Sequence, residues 1–221
     1  MAGAELQIVA PLDLRAGGTW LGVNGNGVFA AVTNLRNDEP DPTRRSRGMV
    51  VMDALRGPTA ARAAEMLKAL PEEVYNPFHC LVADREQAFH LVYRDVPRLE
   101  QLRPGVHVIG NVDAAEEPTP KADRIRSRVE AIAMTSVDRT LEELARVCGE
   151  HGTGGGEVGD TCVHLAAYGT RSSVLLALGN EGAGDKDEAV CRMLYADGAP
   201  CENEYENYST LLGETLARNC S

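Results

Sequence analysis

Residues 17–34, with the sequence GGTWLGVNGNGVFAAVTN, decide how the rest of the chain is interpreted. Two short apolar runs, residues 19–23 and 28–32, flank two overlapping Asn-Gly steps at residues 24–27. Because Asn and Gly tolerate the positive φ angles that primed turns require, this pattern predicts a β-hairpin closed by such a turn. The second run is almost wholly apolar, which indicates a strand covered on both faces. It ends at Thr33-Asn34, so a polar pair follows directly after a rigid strand.

The bulk composition indicates one soluble globular domain over residues 1–221, because 43% of the residues are hydrophobic and 25% are charged. A formal charge of −11 argues against nucleic-acid or anionic-membrane partners, since phosphates would be repelled. We expect no membrane span, because no run of about 18 apolar residues occurs. The first residues lack the pattern of a signal peptide, and the six cysteines are widely spaced without a C-x-x-C pair. Both features predict a cytoplasmic protein with reduced thiols.

Hydrophobic spacing predicts both helices and antiparallel strands. We expect helices at residues 48–55, 60–70 and 121–136, another that begins at a Thr140/Glu143 capping box and ends at Gly149, and a tail helix at 211–217. Hairpins are predicted for residues 78–83 with 88–93 and for 161–167 with 171–178, with further strands at 106–110 and 189–195, and a glycine-rich linker at 152–159. This combination predicts an α+β fold with stacked layers.

Several motifs together carry a family resemblance. They are GGTWLG at residues 17–22 with Thr33-Asn34, RSRG at 45–48, YNPF at 75–78, Asn111 after Pro104-Gly105, and YGTRSS at 168–173. In this order the chain resembles the NRDE family, which includes the Transport and Golgi organisation 2 proteins. The match is strongest over residues 8–178, and residues 179–221 are divergent. The resemblance implies a four-layer αββα sandwich of the N-terminal-nucleophile (Ntn) hydrolase type.

The beginning of the chain departs from that family. NRDE members resemble Ntn enzymes through a cysteine directly after the initiator Met, whose thiol would attack an amide or ester carbonyl with its own α-amine as base. Here Ala2 follows Met1, and no Asn-Arg-Asp-Glu motif precedes the hairpin. We therefore expect an N-terminally truncated or divergent member that lacks the nucleophile and the first strand pair.

Two functions follow from this resemblance. The first is a non-catalytic small-molecule binding protein, and the family implies haem or an acyl-coenzyme A as its ligand, with a role in haem transport or lipid homeostasis. The alternative is an active cysteine Ntn amidohydrolase or acyltransferase whose true N-terminus lies upstream. A missing first strand pair would also leave a sheet edge open to pairing with a second copy, which would give a homo-oligomer.

Three residues are candidates for a ligand pocket or oxyanion site, namely Asn34, Asn111 and Arg171. By resemblance they occupy places where Ntn relatives keep polar pocket residues. An Asn side-chain N–H can stabilise an oxyanion, and Arg can bind a carboxylate or orient the nucleophile. The competing interpretation is structural, because Asn often ends a strand as a turn former and Arg171 can form a salt bridge.

Two other motif segments have structural roles in our interpretation. They comprise Gly17, Gly18, Thr19 and Trp20, and later Tyr168, Gly169 and Thr170. Trp20 is the only tryptophan, and we expect it to anchor the core; the alternative is that it forms a wall of the pocket. The basic cluster of Arg44, Arg45 and Arg47 either solvates the start of a helix or holds an anionic ligand.

Metal and cofactor sites are not predicted. Cys162 and His164 would share one strand face, but their spacing does not form a recognised zinc motif, so we assign both to structure. No phosphate loop occurs, because no Gly-Lys-Ser/Thr follows the glycine-rich linker. A third interpretation, self-cleavage before Thr161 to expose a new N-terminal nucleophile, stays open and predicts two fragments by mass spectrometry.

Overall fold

The computed structural model describes residues 6–37, 39–94, 96–113, 115, 119–152, 159–166, 168–179 and 191–217. The chain divides into two compact units. The first unit comprises the described parts of residues 1–105, 109–118 and 213–221, and the second those of 106–108 and 119–212. The assignment of both units to a single domain stays a prediction.

The first unit contains a six-stranded antiparallel sheet whose spatial order follows the chain order. Its strands are β1 (Ile8–Val9), β2 (Leu21–Asn24), β3 (Phe29–Asn34), β4 (Phe78–Ala83), β5 (Ala88–Tyr93) and β6 (Arg98–Leu102). Two helices stand between β3 and β4, namely α1 (Gly48–Ala54) and α2 (Ala60–Lys68). Both predicted helices and the predicted 78–83/88–93 hairpin are therefore present, because each rests on local spacing.

One face of this sheet packs on α1 and α2. Alternate residues of β4 point to that face, and Phe78, Cys80 and Val82 are all fully buried there. Leu55, which follows α1, and Leu67 of α2 are also fully buried in the same core cluster. Burying each large side chain of this kind contributes roughly 1.5–3 kcal/mol, so this contact stabilises the whole unit.

The hairpin between β2 and β3 is present, but its turn differs from the predicted one. The Gly27 N–H bonds the Asn24 carbonyl at 2.9 Å, and the Asn24 N–H bonds the Val28 carbonyl at 3.0 Å. Within residues 24–27 only Gly27 has a positive φ, at +79°. The prediction of a primed turn was wrong: the loop has three residues, with Gly27 in the left-handed position that closes a bulged hairpin.

The Asn24 side chain explains why this turn is stable. Asn24 is fully buried. Its Nδ2 donates to the Leu55 and Gly57 carbonyls at 2.8 and 2.9 Å. Its Oδ1 accepts the N–H groups of Asn26 and Val28, both at 2.9 Å. All four bonds of the amide are made, so this one side chain closes the turn and joins it to the α1–α2 connection.

Two family motifs meet through glycines. A Cβ atom on Gly18 would lie 2.6 Å from the carbonyl carbon of Gly48, and one on Gly48 would lie 3.0 Å from the Thr19 nitrogen. The Thr19 N–H also bonds the Gly48 carbonyl at 3.3 Å. Trp20, next in the motif, is 38% exposed. The expectation that Trp20 anchors the core was wrong, because the buried face here is formed by backbone in close contact.

The basic cluster at residues 44–47 lies against the YNPF segment. Arg44 Nη1 donates to the Tyr75 carbonyl at 2.9 Å, and Arg47 Nη1 donates to the Pro77 carbonyl at 3.3 Å. Arg45 donates to the Tyr75 hydroxyl and pairs with Asp53 at 2.9 Å. These guanidinium groups are occupied by protein acceptors, which gives the cluster a structural role.

The second unit contains a three-stranded antiparallel sheet in the order β7, β8, β9. The strands are β7 (Ser173–Ala177), β8 (Arg192–Ala196) and β9 (Glu206–Asn207); its helices are α3 (Pro120–Glu130) and α4 (Val137–Cys148), and the last described helix is α5 (Ser209–Ala217). The predicted strands at 171–178 and 189–195 and the tail helix are thus present in outline. Ala189 and Val190 lie outside the described residues, as do residues 153–158 of the predicted linker.

Several predictions for this unit were wrong. The strand at 173–177 pairs with β8 and not with residues 161–167. Among the described residues of 161–167, only His164 forms a bridge, an isolated one to Gly169. Ala167 lies outside the described residues. Helix α4 begins after Ser136, whose hydroxyl accepts the Arg139 N–H at 3.2 Å, so Thr140 lies inside the helix. Its end at Gly149 is as predicted. Residues 106–110 form no strand, and α3 ends at Glu130, short of residue 136.

The α+β class with antiparallel sheets is confirmed. The stacking of the sheets into four layers stays a prediction, as does the absence of a first strand pair.

Candidate functional site

Two predicted pocket residues lie near the same end of the first sheet. Asn34 is the exposed last residue of β3 and pairs with Phe78, the first residue of β4. Two residues further on, the Arg36 N–H donates to the carbonyl of Asn111 at 2.7 Å. Asn111 is exposed as well. The structure therefore brings the 111–113 segment beside the ends of β3 and β4, with both amide side chains reachable from solvent.

Arg171 lies in the second unit, directly after the turn formed by Tyr168, Gly169 and Thr170. The Thr170 N–H bonds the Val163 carbonyl at 2.9 Å, and the Thr170 hydroxyl accepts the Val163 N–H at 2.9 Å. A Cβ atom on Gly169 would lie 2.8 Å from the Val163 oxygen, so this close turn requires glycine. Tyr168 and Arg171 are exposed. A pocket shared by Arg171 and Asn111 stays a prediction.

Beside Asn34 and Asn111, the sheet carries a chain of hydrogen-bonded side chains that the sequence interpretation missed. His79 on β4 and His90 on β5 are diagonal neighbours on the face opposite α1 and α2, with ring centroids 5.1 Å apart. His79 Nδ1 lies 3.1 Å from His90 Nε2. His79 Nε2 lies 3.1 Å from the Val112 carbonyl, and His90 Nδ1 lies 3.0 Å from a carboxylate oxygen of Glu100. We call these four groups the histidine chain.

Hydrogen-bond chemistry restricts the protons of the histidine chain. The Val112 carbonyl only accepts, so His79 carries a proton on Nε2. One further proton lies between His79 Nδ1 and His90 Nε2, and another lies between His90 Nδ1 and the Glu100 carboxyl group. These bonds connect the buried His79 with the exposed side chain of Glu100.

The electrostatics around His79 favour its neutral form. His79 is 2% exposed, and burial, with His90 as the next cause, lowers its pKa below the ordinary value of 6.5. Nearby Asp113 is 6% exposed and pairs with Arg98 at 2.5 Å. Burial alone would raise the pKa of Asp113, but the Ala115 N–H and the Arg98 guanidinium lower it below its usual value. The site thus holds one ionised carboxylate and one neutral imidazole beneath the surface.

This arrangement can bind an oxygen-rich ligand and hold a proton. The exposed amides of Asn34 and Asn111 provide N–H donors, while the histidine chain provides hydrogen-bonded imidazole groups at fixed positions. The predicted 78–83/88–93 hairpin already places His79 and His90 on neighbouring strands, so the register of that hairpin could have revealed their contact from the sequence. The contact of residues 111–113 with β4 has no signal in the sequence.

A second cluster lies wholly in the second unit. His151, Cys162, His164 and Cys201 each offer one metal-ligating atom, and these atoms all lie within 4.8 Å of one another. Cys162 Sγ is 3.5 Å from Cys201 Sγ, and His164 Nε2 is 3.0 Å from Cys201 Sγ. The sequence placed only Cys162 and His164 together; His151 and Cys201 were missed because the chain returns to them from a distance.

Comparison with known protein families identifies one match along most of the chain. A family model described as Transport and Golgi organisation 2 matches residues 2–188. The Transport and Golgi organization 2 homolog of Mus musculus is 31% identical over 85 residues, which cover 37% of this chain and 31% of the relative. The Homo sapiens homolog is 34% identical over 91 residues, covering 39% of this chain and 32% of the relative. The matched segments span about a third of each relative's length.

Two solved structures resemble this chain at low sequence identity. An N-acylethanolamine-hydrolyzing acid amidase ortholog from Caenorhabditis elegans gives a TM-score of 0.47 at 11% identity, covering 63% of this chain and 72% of that chain. A penicillin V acylase from Agrobacterium tumefaciens gives 0.44 at 15% identity, covering 82% of this chain and 60% of that chain.

Membrane insertion through a helix finds no support in the described part of the chain. None of the helices there combines the length and apolar character that crossing a bilayer requires.

Proposed function

The chain belongs to the Transport and Golgi organisation 2 family, and from this premise we propose that it is a small-molecule binding protein whose ligand site is the end of the first sheet that bears Asn34 and Asn111. The observation that carries the proposal is the bond from the Arg36 N–H to the Asn111 carbonyl. That bond gathers two predicted pocket residues, distant in sequence, beside the histidine chain.

The chemistry of this site favours a ligand with anionic oxygen atoms. The side-chain N–H groups of Asn34 and Asn111 can donate to carboxylate or phosphate oxygens from the exposed side. Haem carries propionate carboxylates and an acyl-coenzyme A carries phosphates, so both ligands implied by the family resemblance fit this requirement. A role in haem transport or lipid homeostasis is part of the same proposal. By family resemblance Arg171 is the third candidate, and its guanidinium group would give an anionic ligand a cationic contact.

Binding is tested by titrating the purified chain separately with haem and with an acyl-coenzyme A, following haem absorbance and the thermal midpoint. A ligand that binds only the folded state raises the midpoint, and at 100 times its Kd it stabilises by about 2.7 kcal/mol. Asn111→Ala and Arg171→Ala should both weaken binding and reduce that rise.

The matched control is Asn26→Ala. Asn26 is an exposed asparagine that precedes β3, at the opposite end of the strand from Asn34. This variant should bind as the wild type does. Failure of both ligands to shift the midpoint, or equal losses from Asn26→Ala and Asn111→Ala, would refute the proposed site.

The alternative function is hydrolysis by a cysteine Ntn amidohydrolase or acyltransferase. The nucleophile of such an enzyme is an N-terminal cysteine whose α-amine acts as base. Cys80 cannot take that role, because burial raises its pKa to about 12 and keeps the thiol protonated. Turnover of N-acyl or acyl-ester substrates by the purified protein, removed by cysteine alkylation, would favour the enzyme over the binding protein.

A reducing compartment such as the cytoplasm completes the proposal. Five described cysteines are free thiols, namely Cys80, Cys148, Cys162, Cys191 and Cys201. Free thiols are typical of reducing compartments. Fractionation of cells that express the tagged chain tests this location, and sedimentation of the purified protein tests whether it forms a homo-oligomer.

A further inference from the structure

We propose that His151, Cys162, His164 and Cys201 form a structural Zn²⁺ site in the second unit, a site independent of the ligand-binding function above. The four potential ligand atoms converge within 4.8 Å. Two thiolates and two imidazoles are one of the donor sets that structural zinc prefers, and four protein ligands leave no position open for catalysis. The bound metal would therefore support the fold.

The distances between the ligand atoms are close to those of a zinc tetrahedron. With Zn–S near 2.3 Å and Zn–N near 2.0 Å, tetrahedral geometry requires about 3.8 Å between two sulfurs and about 3.5 Å between sulfur and nitrogen. The observed Sγ–Sγ distance of Cys162 and Cys201 is 3.5 Å. His164 Nε2 lies 3.5 Å from Cys162 Sγ and 3.0 Å from Cys201 Sγ. Binding would need shifts of about 1 Å or less in these side chains.

The first two segments of the site are fixed to each other by backbone contacts. Helix α4 ends at Gly149, and the following Glu150 carbonyl accepts the Cys162 N–H at 3.1 Å. Asp160, 4% exposed, accepts the Gly152 N–H through Oδ1 at 2.6 Å. These bonds lie directly on either side of His151, so its imidazole is placed beside Cys162 before any metal arrives.

The third segment brings Cys201 to the same point. A Cβ atom on Gly149 would lie 3.4 Å from the Pro200 oxygen and 3.5 Å from the Cys201 Cα, so the 200–201 backbone packs directly on the end of α4. The Ala199 carbonyl accepts the N–H groups of Glu202 and Asn203, both at 3.0 Å, which closes a turn around Cys201. The position of Cys201 is thus set by backbone, and its side chain is exposed.

The orientation of His164 suits metal ligation. Its Nε2 faces the two sulfurs, while its Nδ1 lies 4.0 Å from a carboxylate oxygen of Glu202. A ligating histidine commonly turns its second nitrogen toward a carboxylate, which orients the ring and increases its basicity. The His151 ring lies 5.1 Å from that of His164, centroid to centroid, at 43°, so the two rings do not stack flat.

A disulfide is the competing use of the two sulfurs. An S–S bond requires about 2.05 Å, and two imidazoles at the same point would have no role in it. Zinc explains all four side chains at once. It would also tie His151, the 162–164 segment and Cys201 together across long stretches of chain, and such closures constrain the unfolded state.

The test is to purify the chain under reducing conditions from zinc-supplemented cells, and to measure zinc by mass spectrometry of the metal. The expected result is one zinc per chain. Replacement of zinc by Co²⁺ should give the visible ligand-field bands and thiolate charge-transfer bands of a tetrahedral Cys₂His₂ site. Removal of the metal by a chelator should lower the thermal midpoint, and added ZnCl₂ should restore it.

Cys201→Ser and His151→Ala change exposed side chains and should retain the far-UV circular dichroism of the fold, yet lose stoichiometric zinc and the response to chelator. Cys191→Ser, a half-buried free cysteine of the same unit outside the cluster, is the matched control and should keep both. A zinc-free wild type, a Cys201→Ser variant that retains zinc, a Cys191→Ser variant that loses it, or a Cys162–Cys201 disulfide in the reduced preparation would overturn the site.

Discussion

Replacing Asn24 with alanine tests whether one buried amide holds the first unit together. The side chain makes four hydrogen bonds of 2.8–2.9 Å, two as donor to Leu55 and Gly57 and two as acceptor from Asn26 and Val28. Each contributes roughly 1 kcal/mol net. The variant should therefore lose about 4 kcal/mol, a large part of the 5–15 kcal/mol that stabilises a typical domain.

Urea unfolding followed by tryptophan fluorescence measures this loss, because Trp20 is the only tryptophan and lies in the first unit. With a slope of about 1–3 kcal/mol per molar urea, a loss of 4 kcal/mol should move the midpoint down by roughly 1.3–4 M. Asn34→Ala is the control, because that side chain is exposed in the same unit and its loss should change stability by less than about 0.5 kcal/mol. A loss below about 1 kcal/mol in Asn24→Ala would refute the argument that this amide closes the turn and joins it to the α1–α2 connection.

Gly18→Ala should lower the free energy of unfolding by about 1–3 kcal/mol, because the new Cβ would lie 2.6 Å from the backbone at the start of α1. Gly110→Ala is the control, since a Cβ there would meet nothing within 4 Å. Equal urea midpoints for the two variants would contradict the close contact. Burial lowers the pKa of His79 below 6.5 in the folded protein, so at mildly acidic pH the unfolded chain binds more protons at His79 than the folded chain does. The free energy of unfolding should therefore fall as the pH drops below about 6.5. His79→Gln should flatten that part of the stability–pH curve, and an unchanged slope would count against it. Burial raises the pKa of Cys80 to about 12, so Cys80 should react with iodoacetamide only after urea unfolds the protein. Labelling of Cys80 in the folded protein, located by peptide mass spectrometry, would disprove this.

The parts of the fold that were predictable are those that short stretches of sequence determine. The alanine-rich spacing of α2 and the adjacent apolar runs of β4 and β5 gave the correct elements, because each pattern is local. The turn at residues 24–27 was located correctly, but its type was not. Asn24 folds its side chain back on the turn and reaches the α1–α2 connection, and that long-range bond selects a three-residue loop.

The rest depends on contacts between distant residues. The pairing of β7 with β8 was missed because residues 161–167 are closer in sequence and look equally suitable for a hairpin. The start of α4 was misplaced because Thr140 and Ser136 are both good N-caps, and only the structure shows that Ser136 takes that position. The cluster of His151 with Cys201 requires the chain to return across fifty residues, for which no spacing rule exists.

The two edges of the first sheet carry a consequence for the behaviour of the protein at high concentration. The outer strand β1 has only two residues, and β6 at the other edge presents Arg98, Glu100 and Gln101 to solvent. Strands that are this short or this polar are poor templates for the addition of another chain, so the described margins of the sheet are protected from fibrous growth. The same sheet that gathers the candidate ligand site thereby resists cross-β aggregation.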